Sequence, residues 1–327
     1  MKCAFVTGGS GFVGRNLIKA LVDKGVEVRA LARSDSSVQA VELAGAAAIR
    51  GDLQDEVAMR KGMEGCDTVF HSAAFVKSWG NPDDFYDTNV MGTAMVLAAA
   101  KKSGVSTVVF IGTEAVLVGG GPIRNADETR PLPEHPIGQY PLTKGLSERT
   151  VLAANNTNFR TVSVRPRFVW GRDDTSVLTQ FVDAVKSGRF VWLDGGAYNT
   201  STCHVANLCE GAILAAEKGE GGQAYFLTDG EPVEFRWFVT QMLATQDITP
   251  SKRSVSFKLA YTLASIVELF WKLFRIYKQP PLNRSELLLM GEEVTVNDNK
   301  ARRELGYVGQ ISVEQGLQEM RESNHKG

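Results

Sequence analysis

The sequence predicts an α/β protein built on a doubly wound parallel sheet, and three observations carry that prediction. A glycine-rich run, Thr7-Gly8-Gly9-Ser10-Gly11-Phe12-Val13-Gly14, sits between apolar residues 3–6 and amphipathic residues 15–23. Short apolar runs then alternate with helix-like runs through the first half of the chain. Apolar strands separated by helices indicate a parallel sheet covered on both faces. Beyond Arg165 the rhythm loosens, with turns marked at Gly195-Gly196, Gly221-Gly222 and Asp229-Gly230. The expected layout is a Rossmann-type dinucleotide domain over residues 1–165, joined by a returning strand near 224–228. A smaller, interleaved substrate domain is expected over most of residues 166–327.

The elements follow in order. Strand, glycine turn and helix form the setting in which backbone N–H groups and a helix N-terminus cradle a pyrophosphate. Gly8 permits the tight turn, Gly11 lets the backbone approach the phosphates, and Gly14 lets helix and strand pack closely. Thr7, Phe12 and Val13 complete that turn. Further strands are expected at 27–32, 46–50, 68–71, 107–111 and 161–164. Helices are expected at 37–43, 55–63, 84–103 and 140–153.

In such folds an acidic residue about 20 positions after the glycine turn binds the ribose hydroxyls of NAD. Here Arg33 holds that place, followed by Ser34, Asp35, Ser36 and Ser37. A guanidinium suits a 2′-phosphate, so NADP is the preferred cofactor. The competing reading gives the ribose to Asp35, stacks Arg33 on adenine and favours NAD. Asp52-Leu53, after the third strand, is placed to meet the adenine amino group or to cap the next helix.

Tyr140 and Lys144 stand four residues apart, on one face of a helix. A phenol near pKa ~10 carries protons poorly at neutral pH, and a cation one turn away favours its phenolate. The third member of this set is Thr113, at the tip of the strand ending Ile111-Gly112-Thr113. There it would hydrogen-bond a substrate oxygen or cap the strand end.

These residues resemble the extended short-chain dehydrogenase/reductase superfamily. The matches are Thr7 to Gly14, Asp52-Leu53, His71-Ser72-Ala73-Ala74, Asn89-Val90-Met91-Gly92-Thr93, Tyr140-x-x-x-Lys144 and Arg165-Pro166-x-x-Val169-Trp170-Gly171. By position, the resemblance implies that Asn89 helps order the proton path. It also places Ala73, Ala74, Pro166 and Val169 along the cofactor. Within the superfamily the chain looks most like the 3β-hydroxysteroid dehydrogenase and sterol-4-carboxylate 3-dehydrogenase branch. That likeness implies interconversion of a secondary alcohol and a ketone on a hydrophobic, sterol- or lipid-like substrate, and a homodimer through helices 84–103 and 140–153. Phe75, Trp79, Phe168, Trp170 and Trp192 could wall its pocket or serve as core aromatics. The alternatives are a nucleotide-sugar 4-epimerase or reductase, with Arg167, Arg172 and Arg189 on the diphosphate, and a non-catalytic dinucleotide-binding module. Thr113-Glu114-Ala115 lacks the Thr-Asp-Glu triplet of sugar-nucleotide dehydratases.

Composition narrows the partners. The 327 residues are 43% hydrophobic and 22% charged with a net charge of −1, which gives no support for nucleic-acid binding. Four scattered histidines and four cysteines without metal-type spacing argue against a metal site. No apolar leader precedes the first strand, so a cytoplasmic location is expected. Residues 257–277 are mostly apolar, with polar members spaced three or four apart. As a helix this segment would run about 31 Å, but its four charges argue against spanning a bilayer. It reads either as a helix buried in the core, a lid or a subunit contact, or as one lying in a membrane surface.

Overall fold

The computed structural model describes residues 1–324. Its main sheet has seven strands: β1 (Cys3–Thr7), β2 (Glu27–Ala32), β3 (Ala47–Arg50), β4 (Thr68–His71), β5 (Thr107–Ile111), β6 (Arg160–Pro166) and β7 (Ala224–Leu227). All pairings are parallel, in the order β7-β6-β5-β4-β1-β2-β3. The order reverses between β1 and β4, which opens a ligand crevice outside the carboxyl ends of those strands.

Side-chain alternation explains the two covered faces. Cys3 and Phe5 of β1, with Val108 and Phe110 of β5, pack on Met59, Met63, Val96 and Val151. Ala4, Val6, Val109 and Ile111 face the other way, onto Leu17, Ile18, Leu21, Leu208 and Ile213. Fully buried strands therefore read as continuous apolar runs. The β7 edge is blunted by Glu128, whose carboxylate accepts the Phe226 N–H at 2.7 Å.

One expected element is broken. Residues 84–103 were expected as a single helix, but the chain forms a short α-turn at Pro82–Phe85, a wide π-turn at Tyr86–Met91, and an α-helix at Gly92–Lys102. The side chains of Thr93 and Ser147 both donate to the Asn89 carbonyl, at 2.5 and 2.7 Å, inside that wide turn. Such π-turns concentrate at functional sites.

Segments after β6 build a second lobe. Its four-stranded sheet joins Val233–Glu234, Asn199–Thr200, Val294–Val296 and Ile123–Ala126, the last contributed from before the helix Gln139–Ala153. Phe168, Trp170 and Trp192 form its aromatic core with Phe190, Phe235 and Phe238. All three are almost fully buried there, in keeping with the core-aromatic reading. Phe75 and Trp79 stay half-buried beside the crevice.

The segment 257–277 also departs from expectation. Its helix stops at Leu273, and Arg275 takes a left-handed φ of 51° as the chain turns back. Only Ala260, Ala264 and Glu268 of the helix are buried. Glu268 belongs to the expected polar stripe, yet it points inward and pairs with Arg284 at 2.9 Å. Leu259, Leu263, Ile266, Leu269, Phe270, Leu273, Phe274 and Tyr277 are all exposed, which rules out the buried-core reading.

Candidate active site

The glycine turn divides by what each added methyl group would meet. Gly8 adopts φ 71°, and a Cβ there would lie 2.6 Å from the Ala73 nitrogen. At Gly14 a Cβ would collide with the Gly8 carbonyl oxygen, so glycine is demanded by the packing of helix on turn. Gly11 differs: its φ is −76°, and its nearest neighbour would stand 3.4 Å from the added carbon. Little in the fold itself requires glycine at that position, whereas a ligand pressed against the turn would. No side chain caps the Phe12–Asp23 helix, so its first N–H groups are free to meet an anion. The turn therefore fits a dinucleotide pyrophosphate. Phe12 is buried and Val13 half-buried behind it.

Thr7 leads from that turn into a buried hydrogen-bond chain that sequence reasoning missed. Its Oγ1 lies 2.6 Å from His71 Nδ1, and His71 Nε2 lies 2.9 Å from Thr93 Oγ1. Thr93 gives its own hydrogen to the Asn89 carbonyl. His71 must then donate through Nε2 and accept from Thr7 through Nδ1. Burial, with Lys144 nearby, holds the imidazole down to about 3, so the ring stays neutral in this network. Ala73 donates its N–H to Thr7 Oγ1 at 3.3 Å. Ala73 and Ala74 thereby sit beside the glycine turn.

Asn89 continues the chain. Its carboxamide accepts from the Phe75 N–H at 2.7 Å and donates to the Phe75 carbonyl at 3.2 Å. The same nitrogen donates to Thr143 Oγ1 at 2.9 Å. Asn89 thus ties the loop after β4 to the helix Gln139–Ala153, which carries Tyr140 and Lys144.

Lys144 is 2% exposed and donates from Nζ to the Ile111 carbonyl at 2.7 Å, over the face of Phe110. Burial lowers its pKa to about 7, with Glu148 opposing that shift. Two further ammonium hydrogens remain for a ribose and a phenolate. Tyr140 is half-buried and thus still reachable. Burial and the Glu114 carboxylate push its phenol above the ordinary range, while the Thr113 hydroxyl beside it pulls the other way.

Thr113 caps the turn Glu114–Leu117, accepting from Ala115 N–H at 3.2 Å, and donates to Glu114 at 2.9 Å. Thr113 thus fills the capping role named for it as the alternative reading. Glu114 pairs in turn with Arg167 at 2.9 Å. Pro166 closes β6, and Val169 pairs with Cys203 just beyond it.

At the adenine end, Arg33 is exposed and has no ion-pair partner among the described residues. Asp35 is instead engaged by Arg50. Asp52 folds onto the Gln54 N–H, while Asp55, not Asp52, caps the next helix. Leu53 packs on Gly92. The three arginines named for a diphosphate do not converge. Arg167 is buried in its ion pair, Arg172 stands beside Asp173 on the surface, and Arg189 bonds Ser187.

Comparison with known proteins agrees with this geometry. The model of the 3-beta hydroxysteroid dehydrogenase/isomerase family matches residues 5–259. The chain is 48% identical over 323 residues to the 4-hydroxy-2-methyl-3-oxo-4-farnesyl-3,4-dihydroquinoline-1-oxide ketoreductase of Stigmatella aurantiaca, covering 99% of this chain and 97% of that one. It is 33% identical to a decarboxylating sterol-4-alpha-carboxylate 3-dehydrogenase of Dictyostelium discoideum, covering 98% and 100%. A crystal structure of UDP-glucose 4-epimerase from Thermotoga maritima superposes with a TM-score of 0.77 over 99% of both chains. At 20% identity that match speaks to the fold alone.

Proposed function

This chain belongs to the 3-beta hydroxysteroid dehydrogenase/isomerase family and is an NAD(P)-dependent oxidoreductase of the extended short-chain type; we propose that it interconverts a ketone and a secondary alcohol on a hydrophobic, lipid-like substrate. One observation carries the reading: Tyr140, Lys144 and Thr113 converge at the carboxyl end of β5, beside the strand-order reversal. The nicotinamide supplies or accepts the hydride when bound. Tyr140 gives its proton to the ketone oxygen, or takes it from the alcohol, and Thr113 steadies the reacting oxygen. Lys144 stabilises the phenolate and holds the ribose, and Asn89 keeps the helix and the Phe75 loop in register. The buried His71 ring links that arrangement to the glycine turn.

NADP is the cofactor this reading prefers, because Arg33 has no ion-pair partner among the described residues while Asp35 is engaged by Arg50. The substrate class follows from the relatives, one a farnesylated quinoline ketoreductase and one a sterol dehydrogenase. A sugar-nucleotide substrate is disfavoured by the burial of Arg167 in its pair with Glu114.

Among the described residues no helix is long and apolar enough to cross a membrane. Peripheral contact of a cytoplasmic enzyme with an anionic bilayer is part of this reading. The apolar face of Phe257–Leu273 is flanked by exposed Lys252, Arg253, Lys258, Lys272, Arg275 and Lys278, and the segment's one acid, Glu268, is buried. An apolar stripe with a basic border suits an interfacial helix. A homodimer through Gly92–Lys102 and Gln139–Ala153 would cover the half-exposed Met95, Leu142 and Leu146.

An absorbance screen of NADPH and NADH against sterol ketones, long-chain 3-oxoacids, prenylated ketones and nucleotide sugars tests the proposal. Turnover of hydrophobic ketones is expected. Turnover of nucleotide sugars alone would overturn it.

A further inference from the structure

Asn283 is 1% exposed, and the two ends of its carboxamide fare differently. The oxygen accepts from the Glu286 N–H and from the Ser285 hydroxyl, both at 2.9 Å, as the cap of the helix Arg284–Met290. Those donors fix which way the group is turned, because an amide nitrogen could accept from neither. The nitrogen has two hydrogens to give and no partner among the described residues. Buried donors are almost always paired, and leaving one unpaired opposes folding. The cap needs the oxygen alone, which serine or threonine would supply without the surplus donor.

The place of Asn283 in the fold suggests a use for that donor. Before it, the Trp79 indole N–H donates to the Ile276 carbonyl at 2.9 Å, and Gln279 Nε2 donates to Ser78 Oγ at 3.2 Å. Trp79 and Ser78 belong to the loop after β4, which Asn89 holds through the Phe75 backbone. After it, Ser285 lies against Gly138, where an added Cβ would stand 2.8 Å from the Ser285 Cβ. Gly138 immediately precedes the helix that carries Tyr140. Residues 276–285 therefore form a strap from the loop after β4 to the start of that helix, and Asn283 lies on the strap near its Tyr140 end.

An amide N–H is an uncharged donor, and its fitting partner is an uncharged oxygen. A carboxylate buried there would need a cation. The neighbouring Arg284 is already taken by Glu268 at 2.9 Å, and Lys278 is exposed. We propose that Asn283 is a specificity-determining residue: its free amide donates to a second, uncharged oxygen, a hydroxyl or carbonyl, that the substrate carries apart from the reacting ketone. This rests on the reading of the protein as an oxidoreductase of hydrophobic ketones, and it says which of those ketones the crevice prefers.

Reduction by NADPH of a series of long-chain ketones tests the idea. Each member carries a hydroxyl at a different carbon, and the series is run beside the plain monoketone and the matching oxoacids. The parent enzyme should prefer at least one hydroxyketone over the monoketone, and over the oxoacids, by about tenfold in kcat/KM. Asn283→Thr keeps a capping oxygen and removes the amide nitrogen. It should cut that preference to less than about threefold, chiefly by slowing the hydroxyketone, at a near-native melting temperature. Asn283→Ser, smaller and equally able to cap, repeats the comparison. A merely structural role would slow both ketones alike. That result, no preference in the parent enzyme, a preference for an oxoacid, or a preference that survives both substitutions would overturn the proposal. Failure of the parent enzyme to reduce any member of the series would instead overturn the reading beneath it.

Discussion

His71 Nδ1 stands 2.6 Å from Thr7 Oγ1, and the ring is 1% exposed. That contact joins the glycine turn to the helix network through a neutral imidazole. Folding holds the ring's pKa near about 3, against 6.5 in an ordinary setting. The unfolded chain therefore binds more protons between those values, and stability rises with pH across that window. Acidification below about pH 6.5 should lower stability by up to about 1.4 kcal/mol per pH unit from this group. His71→Gln should flatten that part of a denaturant-derived stability profile. An unchanged slope would contradict the assignment.

Lys144 makes the opposite bargain between stability and activity. Its ammonium is buried and its pKa is lowered to about 7, so folding strains against its charge. Lys144→Met should raise the melting temperature by several degrees while lowering kcat by about a hundredfold or more. Calorimetry and steady-state kinetics on the same preparation check both halves.

Gly11 and Gly14 should separate binding from folding. Gly11→Ala adds a carbon that meets the protein only at 3.4 Å. It should fold normally and weaken dinucleotide binding by about tenfold or more, read by titration calorimetry. Gly14→Ala drives its carbon into the Gly8 carbonyl and should lower the melting temperature sharply.

Arg33 carries the cofactor preference. A charged hydrogen bond contributes about 1.5–3 kcal/mol, so Arg33→Ala should weaken NADPH binding about ten- to hundredfold and leave NADH nearly unchanged. Equal losses for both cofactors would place Arg33 on the adenine instead.

The greasy outer face of Phe257–Leu273 gives a physical assay. Leu263→Glu with Ile266→Glu should abolish flotation with vesicles containing anionic lipid. Turnover of a freely dissolved ketone should stay unchanged. Retained flotation would remove the membrane from the account.

Much of the fold could be read from the sequence because parallel strands are apolar on both faces. β2, β4, β5 and β7 lie at or within a residue of the expected positions, β5 and β7 as nearly continuous apolar runs and β2 and β4 with polar residues among the apolar ones. What escaped notice depended on partners distant in sequence. The π-turn at Asn89 follows from hydroxyls of Thr93 and Ser147 converging on one carbonyl, which no local pattern encodes. His71 was visible only as part of a motif, and its link to Thr7 spans 64 residues. Glu114 was noted for the triplet it fails to complete, and its partner Arg167 lies 53 residues away. Phe168, Trp170 and Trp192 were left between two readings, and the structure places them in the core. Aromatic content marks a pocket and a core alike until packing chooses between them.

Tyr140→Phe decides the central claim. The substitution removes one hydroxyl from a half-buried ring and leaves Lys144 and the glycine turn in place. The account predicts NADPH binding within about twofold of the parent enzyme and ketone reduction slowed by at least about a hundredfold. Reduction at the parental rate, with the cofactor still bound, would contradict it.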